Sequence, residues 1–427
     1  MAYLDAAASA RTTDGARLVL PAAAAAALLA FLATLVLAIA GIVRVATGDG
    51  GAGGDFMSFY AAGYIVRHGM TDGLYNGAVQ AFVQRAVYPG DLPHATGYPL
   101  PLFVAWAFAP LSRLPFTAAY LRWTAINAAL LAALAFALDR HLVNVPMLPR
   151  RTFIAVFACS IPAVTNIILG QVDFIVFGAL FGAYLLLREE RESLAGIALA
   201  VVLIKPQFLL GVVPMLLLWQ QWRTLRTLAL AGGALLIVPA LLAEPGALAA
   251  HARFVAGYQG AGGDLHVNAA AMSNWRGLAA SVTGSNAAWA WLPGMAAITA
   301  GAFAVAMPRW RLAAHGAVAA DQAYALAVML PLLVSPHLYA HSLVLLFIPL
   351  AIALRGYFPP DDATAGDFAR QSGALTLMLA LYAALFTLWL STSLGFAPMV
   401  LLVAALFAGC AWRWPNPEPQ WRLDSLA

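Results

Sequence analysis

Four short segments of this sequence hold the side chains best suited to chemistry. The first is Asp55-Phe56-Met57-Ser58-Phe59-Tyr60, which directly follows the glycine-rich stretch Gly48 to Gly54. A carboxylate there can act as a general base, ligate a cation, or cap the helix that follows, a position aspartate favours. The second is Leu203-Ile204-Lys205-Pro206-Gln207, set between long apolar runs. An ammonium in such a setting costs several kcal/mol unless it is paired, hydrated or snorkelling. Pro206 breaks a helix, so Lys205 either faces a cavity at that break or marks a short loop. The third is Gly170-Gln171-Val172-Asp173-Phe174, with Asn166 one helical turn earlier. These polar groups can bind a sugar or hold helices together, and Asp173 in so apolar a stretch calls for a cation. The fourth is Ser335-Pro336-His337-Leu338-Tyr339-Ala340-His341, whose histidines are four apart and share a face if the segment is helical. They suit phosphate or hydroxyl binding, or the segment is simply a helix start after Pro336. A zinc site needs a third ligand and usually a nearby base, and no His-Glu-x-x-His pattern occurs, so no metal site is expected and no cofactor is implied.

The elements that position these residues must be membrane helices. The 427 residues are 63% hydrophobic and 10% charged, where a soluble domain carries about 25% charge. The mean hydropathy is +0.81, which excludes a soluble enzyme and a peripheral protein. At roughly 20 residues per span, the composition accommodates about 11–13 membrane helices in an all-α, polytopic bundle. The two cysteines, Cys159 and Cys410, lie far apart in apolar runs and make neither a disulfide framework nor a thiolate metal site. Among 23 basic residues the single lysine is Lys205, and the arginines sit one or two at a time at the edges of apolar runs. That pattern is a topology signal and excludes a nucleic-acid surface. The glycine-rich stretch lacks the Gly-Lys-Ser/Thr ending of a phosphate loop, so free nucleotide binding is not expected.

Apolar runs fall at about 18–45, 98–111, 117–138, 152–169, 172–187, 194–204, 206–219, 225–243, 286–306, 318–334, 338–354 and 372–412. The run after Arg11 and Arg17 is too long for a signal-peptide core and reads as a retained first span. Residues 1–17 and 413–427 are expected to be cytoplasmic, and two polar loops, 46–98 and 244–285, extracytoplasmic. This follows from arginines such as Arg140, Arg150, Arg151, Arg188, Arg223, Arg311 and Arg355 under the positive-inside rule. It also places the turns at Gln171–Asp173, Lys205–Gln207 and Ser335–His341 outside, and it requires 98–111 and 117–138 to cross only once between them. Phe56 to Val66 suits a helix lying at the membrane surface. The whole chain reads as one membrane-embedded domain.

Strung together, the motifs resemble glycosyltransferase family 87. Asp55-x-x-x-Phe59-Tyr60-x-Ala62-Gly63 is similar to the start of that family's first external loop. Gly69…Leu74-Tyr75, Gly97-Tyr98-Pro99-Leu100-Pro101-Leu102-Phe103 and Ala109-Pro110-Leu111 follow in the family's order, then Trp123 with Asn127, Gly170-Gln171, Ala195-Gly196, Lys205-Pro206, and Ser335-Pro336 with His341. The sequence departs from the family at Tyr98-Pro99-Leu100-Pro101, where Tyr-Pro-Pro is common, and at Asp173, where asparagine is usual.

The resemblance implies a GT-C-type fold in the cell membrane, with the active site on the extracytoplasmic side. It implies inverting transfer of a hexose, mannose above all, from a polyprenyl-phosphate sugar to a hydroxyl of a glycolipid or polysaccharide. Asp55 would be the base. Lys205 would bind the leaving phosphate, with His337, His341 and Arg67 as further candidates. Tyr60 and Tyr98, with Phe59 and Tyr64, would flank the sugar or seat the loop on lipid, beside the polar Gln171 and Asp173. The competing expectation is a transporter or flippase for a lipid-linked or small solute. It draws on the many spans and the intramembrane Asp173 and Lys205, but no internal repeat supports it.

Overall fold

The computed structural model describes residues 32–48, 54–92, 94–243, 245–258, 267–285, 287–315, 320–357 and 399–412. Among them every named element is helical, and the one β-type contact is an isolated bridge between Met272 and Tyr339. Four helical stretches are long and apolar enough to cross a membrane: α5 (Phe116–His141), α6 with α7 (Met147–Cys159 and Ile161–Leu169, apolar from Pro149), α11 (Trp222–Leu241) and α14 (Ala288–Ala314). The stretch between α6 and α7 breaks at Ser160, whose Oγ accepts from the Ala163 amide and caps α7, with Pro162 in its first turn.

The other apolar helices are shorter and come in pairs that meet at polar breaks. Glu192–Ile204, which contains α9 (Glu192–Val201), and Pro206–Leu218, which contains α10 (Val212–Leu218), flank Lys205. α15 (Ala320–Val334) and the stretch Ala340–Gly356, which opens as a 3-10 turn over Ala340–Leu346 and continues as α16 (Phe347–Tyr357), flank the histidine segment. Helices that stop and restart bring irregular backbone into the bundle, which is tolerated only where protein or a water-filled cavity receives it. α15 is the central post: every residue but Asp321 is buried, the mark of a helix apolar on all sides. The remaining apolar helices are α1 (Leu32–Thr47) and α17 (Met399–Trp412), the part of the 372–412 run that falls within the described residues.

The run at 98–111 forms only a seven-residue helix, α4 (Leu102–Phe108). At about 10 Å it is too short to cross a bilayer, so α5 alone spans in this region. α2 (Phe56–Arg67), for which a place at the membrane surface is expected, is packed by protein on nearly all sides. Ten of its twelve residues are buried, where an interfacial helix would leave one face in water. Its aromatic rings explain this: Phe56 packs among Tyr60, Phe108, Phe116 and Tyr120, with centroids 5.7–6.2 Å apart. Tyr60 donates to the Leu114 carbonyl at 2.7 Å and ties α2 to the start of α5.

α8 (Asp173–Arg188) sets the polarity of the molecule. Its sixteen residues span about 24 Å. At its far end Arg188 pairs with Asp321 at 2.7 Å, Tyr184 donates to Asp321 at 3.1 Å, and Arg355 lies 3.4 Å from His141. At its near end are Gln171 and Asp173. The arginine-rich end of the bundle therefore lies opposite the end that gathers the chemically active groups.

The turn that starts α8 is clamped by α5. Tyr120 donates to the Ile168 carbonyl at 2.7 Å, Trp123 to Gly170 at 2.7 Å and Asn127 to Gln171 at 3.1 Å, three side chains along one helix face. Gly170 ends α7 in the left-handed region, φ +67°, and a Cβ there would sit 2.7 Å from that of Phe56. Gly170→Ala is expected to destabilise the protein by roughly 2 kcal/mol or more, through left-handed strain plus the collision. Gly182→Ala, with nothing near the new methyl, should leave thermal stability unchanged or raised. Melting of the purified full chain in detergent checks both.

Candidate active site

One cavity of about 370 Å³ opens where the broken helices end. Asp55, Gln171, Lys205, His337 and His341 all line it, although they come from four separate stretches of chain. Thr96, Thr165, Gln207, Asn268 and Ser342 add polar groups to the wall, and Phe59, Pro99, Leu100, Leu169 and Tyr339 add apolar surface. That mixture is the composition of a small-molecule site: largely apolar, with a few convergent polar groups.

Asp55 sits immediately before α2 but makes no side-chain capping bond, so the capping role is not the one the fold gives it. Its backbone carbonyl takes the Ser58 hydroxyl at 2.8 Å instead, and its carboxylate turns to the cavity. There Oδ2 accepts from Gln171 Nε2 at 2.6 Å, with His341 Nε2 at 3.8 Å. The carboxylate remains 28% exposed, open to an incoming group.

Gln171 bridges to the next member. Its Oε1 accepts from Lys205 Nζ at 3.1 Å while its Nε2 holds Asp55. Lys205 occupies the non-helical residue between the 3-10 turns Val202–Ile204 and Pro206–Leu209, as Pro206 requires. Its ammonium pairs with Asp173 Oδ1 at 2.7 Å. Asp173 is fully buried and stands behind the cavity wall. Its Oδ2 accepts from His341 Nδ1 and from Ser342 Oγ, the latter at 3.1 Å. Both of its oxygens are thus committed to the protein, and its role is to neutralise and orient. Asp55, Gln171, Lys205, Asp173 and His341 close a ring of polar contacts in an apolar bundle.

Three of the sequence candidates lie elsewhere. Arg67 ends α2, about 18 Å along the helix from Asp55, where its Nε donates to Ser112 at 3.1 Å and its guanidinium covers the Tyr64 ring. Tyr60 anchors α2 as described, and Tyr98 is buried with its hydroxyl donating to Pro101 at 3.1 Å. None of the three lines the cavity. Their side chains are spent on positioning the loops.

Some contributors carry no signal in the sequence. Gln80 and Gln84, four apart on α3 (Gly77–Val87), hold the cavity rim: Gln80 accepts from the Tyr98 amide at 2.8 Å, and Gln84 both accepts from and donates to Thr96, at 2.9 and 2.6 Å. The second polar loop closes the other side. α12 (Ala247–Tyr258) stacks His251 on Tyr75 at 4.7 Å and places its Nε2 2.9 Å from the Pro99 carbonyl. Asn274 donates to Ser335 at 2.9 Å and Ser273 to Leu338 at 2.8 Å, fastening that loop to the histidine segment. Asp264 and His266 of the same loop lie outside the described residues. No group of three or more metal-ligating side chains with suitable geometry occurs among the described residues.

A sequence model of glycosyltransferase family 87 matches residues 98–336, more than half of the chain. The chain belongs to that family. It is a multi-pass membrane glycosyltransferase, which sets aside the reading as a carrier. The family match contains Gln171, Asp173 and Lys205, whereas Asp55 and His341 join them through the fold. Comparison with curated proteins and with solved structures returns no match.

The ion pair at the centre of this family 87 site has a measurable consequence. Lys205→Met leaves a buried carboxylate without its cation and is expected to cost about 3–5 kcal/mol. Adding Asp173→Asn should recover part of that loss, because it removes the unmatched charge. Melting temperatures of the two variants test this, and a double variant as unstable as the sum of its parts would show that the groups are not coupled.

Proposed function

We propose that this enzyme transfers a hexose, mannose being the first candidate, from a polyprenyl-phosphate sugar to a hydroxyl of a glycolipid or polysaccharide. The observation that carries the proposal is that Asp55 is the only acidic side chain on the cavity wall among the described residues, beside one lysine and two histidines. A phosphate already leaves readily, so the reaction needs no general acid. One carboxylate is enough to take the proton from the attacking hydroxyl. With no second carboxylate placed to form a covalent intermediate, the attack is in line and the anomeric centre inverts.

The leaving phosphate needs positive charge in a low-dielectric setting. Lys205 supports this role: an ammonium has three donors, and Asp173 and Gln171 use two. Pairing with Asp173 fixes the lysine side chain before the donor arrives. Because the donor is a lipid, its chain remains in the bilayer while its phosphate and sugar enter between the helix ends. The site lies opposite the arginine-rich end of α8, and under the positive-inside rule that favours the extracytoplasmic side of the cell membrane.

Asp55→Asn is expected to lower kcat by roughly 10²–10⁴-fold, the usual contribution of a general base, with membrane insertion and melting unchanged. Lys205→Ala should raise the KM for the lipid donor more than that for the acceptor. Transfer assays with polyprenyl-phosphate mannose as donor and octyl mannoside as acceptor measure both. Wild-type rates in Asp55→Asn would remove the base assignment, and equal effects of Lys205→Ala on the two KM values would remove the phosphate assignment.

A further inference from the structure

We infer that His341 is a second catalytic residue: it receives, at Nε2, the proton that Asp55 takes from the acceptor hydroxyl, with Asp173 holding the resulting imidazolium. The inference rests on the reading of Asp55 as base and adds the next step of the proton's path.

The geometry supports a direction for the transfer. Asp173 Oδ2 contacts His341 Nδ1, and as a carboxylate it can only accept, so Nδ1 carries the hydrogen. In the neutral ring the lone pair then lies on Nε2. That atom is buried, has no hydrogen-bond partner among the described residues, and lies 3.8 Å from Asp55 Oδ2 on the cavity wall. Two acceptors thus face each other across a gap that one proton can bridge with a small side-chain movement. The arrangement fixes the tautomer of a histidine through a buried carboxylate, the same logic by which a catalytic triad orients its base.

Charge balance favours the same step. With His341 neutral, the ring holds two carboxylates against one ammonium, so it carries one uncompensated negative charge. An imidazolium between Asp173 and Asp55 cancels it. Beyond the ring, the fully buried guanidinium of Arg276 brings a further positive charge that is felt at His337. His341 faces Asp173 on α8, Asp55 before α2 and Lys205 through Asp173, with Ser342, His337 and Tyr339 from its own segment. α7 brings Thr165 and Leu169 to the same cavity wall, and the charged groups of α15 and α16, Asp321 and Arg355, lie at the far end of the bundle.

The step balances. The acceptor oxygen forms a bond to the anomeric carbon as the bond from that carbon to the phosphate oxygen breaks, and the phosphate leaves with the electron pair. The hydroxyl proton passes to Asp55 and on to His341 in the same step. It is later released to water or to the departing phosphate, which restores the neutral ring.

The test uses the full chain in lipid nanodiscs with polyprenyl-phosphate mannose and octyl mannoside. kcat and both KM values are measured across pH for the wild type, His341→Gln, His341→Asn and Asp55→Asn. Both histidine variants are expected to lose kcat about 10–10²-fold with donor KM little changed. Asn at 341 can still donate to Asp173, so its loss reports the missing Nε2 and not a broken contact. Independently of any variant, the wild-type single-turnover rate in mixtures of light and heavy water should depend on two protons. A one-proton dependence would overturn the relay. So would wild-type kcat in the folded histidine variants, or a rise in donor KM with kcat intact, which would make His341 a phosphate ligand. Wild-type activity in Asp55→Asn would instead overturn the base reading beneath it, and the two failures are told apart by which variant shows them.

Discussion

A buried ion pair between Lys205 and Asp173 is the constraint around which this molecule is arranged. Neither charge could be left alone in so apolar a bundle, because an unmatched buried ion costs several kcal/mol. Together they neutralise one another and leave donors and acceptors free to reach further. Lys205 extends to Gln171, and Asp173 to His341 and Ser342. Gln171 and His341 in turn converge on Asp55. One ion pair thereby orients, through neutral intermediaries, a carboxylate that itself remains open to the cavity. The fixed charges are in place before a substrate arrives, which is what electrostatic stabilisation of a reaction requires.

The fold serves this arrangement through where its helices stop. α7 ends at Gly170, α8 begins at Asp173, the helix before Lys205 gives way at Pro206, and α15 yields to a loop before Ala340. Each break would expose backbone groups inside a membrane were it not received by protein. α5 clamps the first with Tyr120, Trp123 and Asn127, and Asn274 fastens the last through Ser335. Long helices such as α5 and α14 supply the walls, and the interrupted ones supply the chemistry. Cavity and catalytic groups therefore have one structural cause.

Much of this was legible in the chain because the background is so apolar. A single lysine next to a proline, and an aspartate where a membrane helix begins, stand out, and they pair as their charges demand. The all-α class and membrane location follow from the same scarcity of charge. The residues that misled did so because type does not reveal direction. Tyr60, Tyr98 and Arg67 have side chains fit for a sugar or a phosphate, yet each spends its polar group on a nearby loop. Asp55 as a helix cap was an equally good local reading, and only a contact with Gln171, 116 residues away, decides against it. Gln80, Gln84 and Ser342 gave no signal, since their roles exist only once distant segments meet. The depth at which α2 is packed gave no signal for the same reason: its aromatic residues suit an interface, and only in the fold do Phe108, Phe116 and Tyr120 pack against Phe56.

The central claim is that one carboxylate, held by this ring, directs a single in-line displacement at a lipid-phosphate sugar. The stereochemistry of the product tests it most directly. Starting from a polyprenyl-phosphate mannose of known anomeric configuration, the glycoside formed on octyl mannoside by the purified enzyme would be assigned by nuclear magnetic resonance. The account requires the opposite configuration at the transferred sugar in every product molecule. Retained configuration would contradict it, because retention by double displacement needs an enzyme carboxylate besides the base, and among the described residues Asp55 is the only one on the cavity wall.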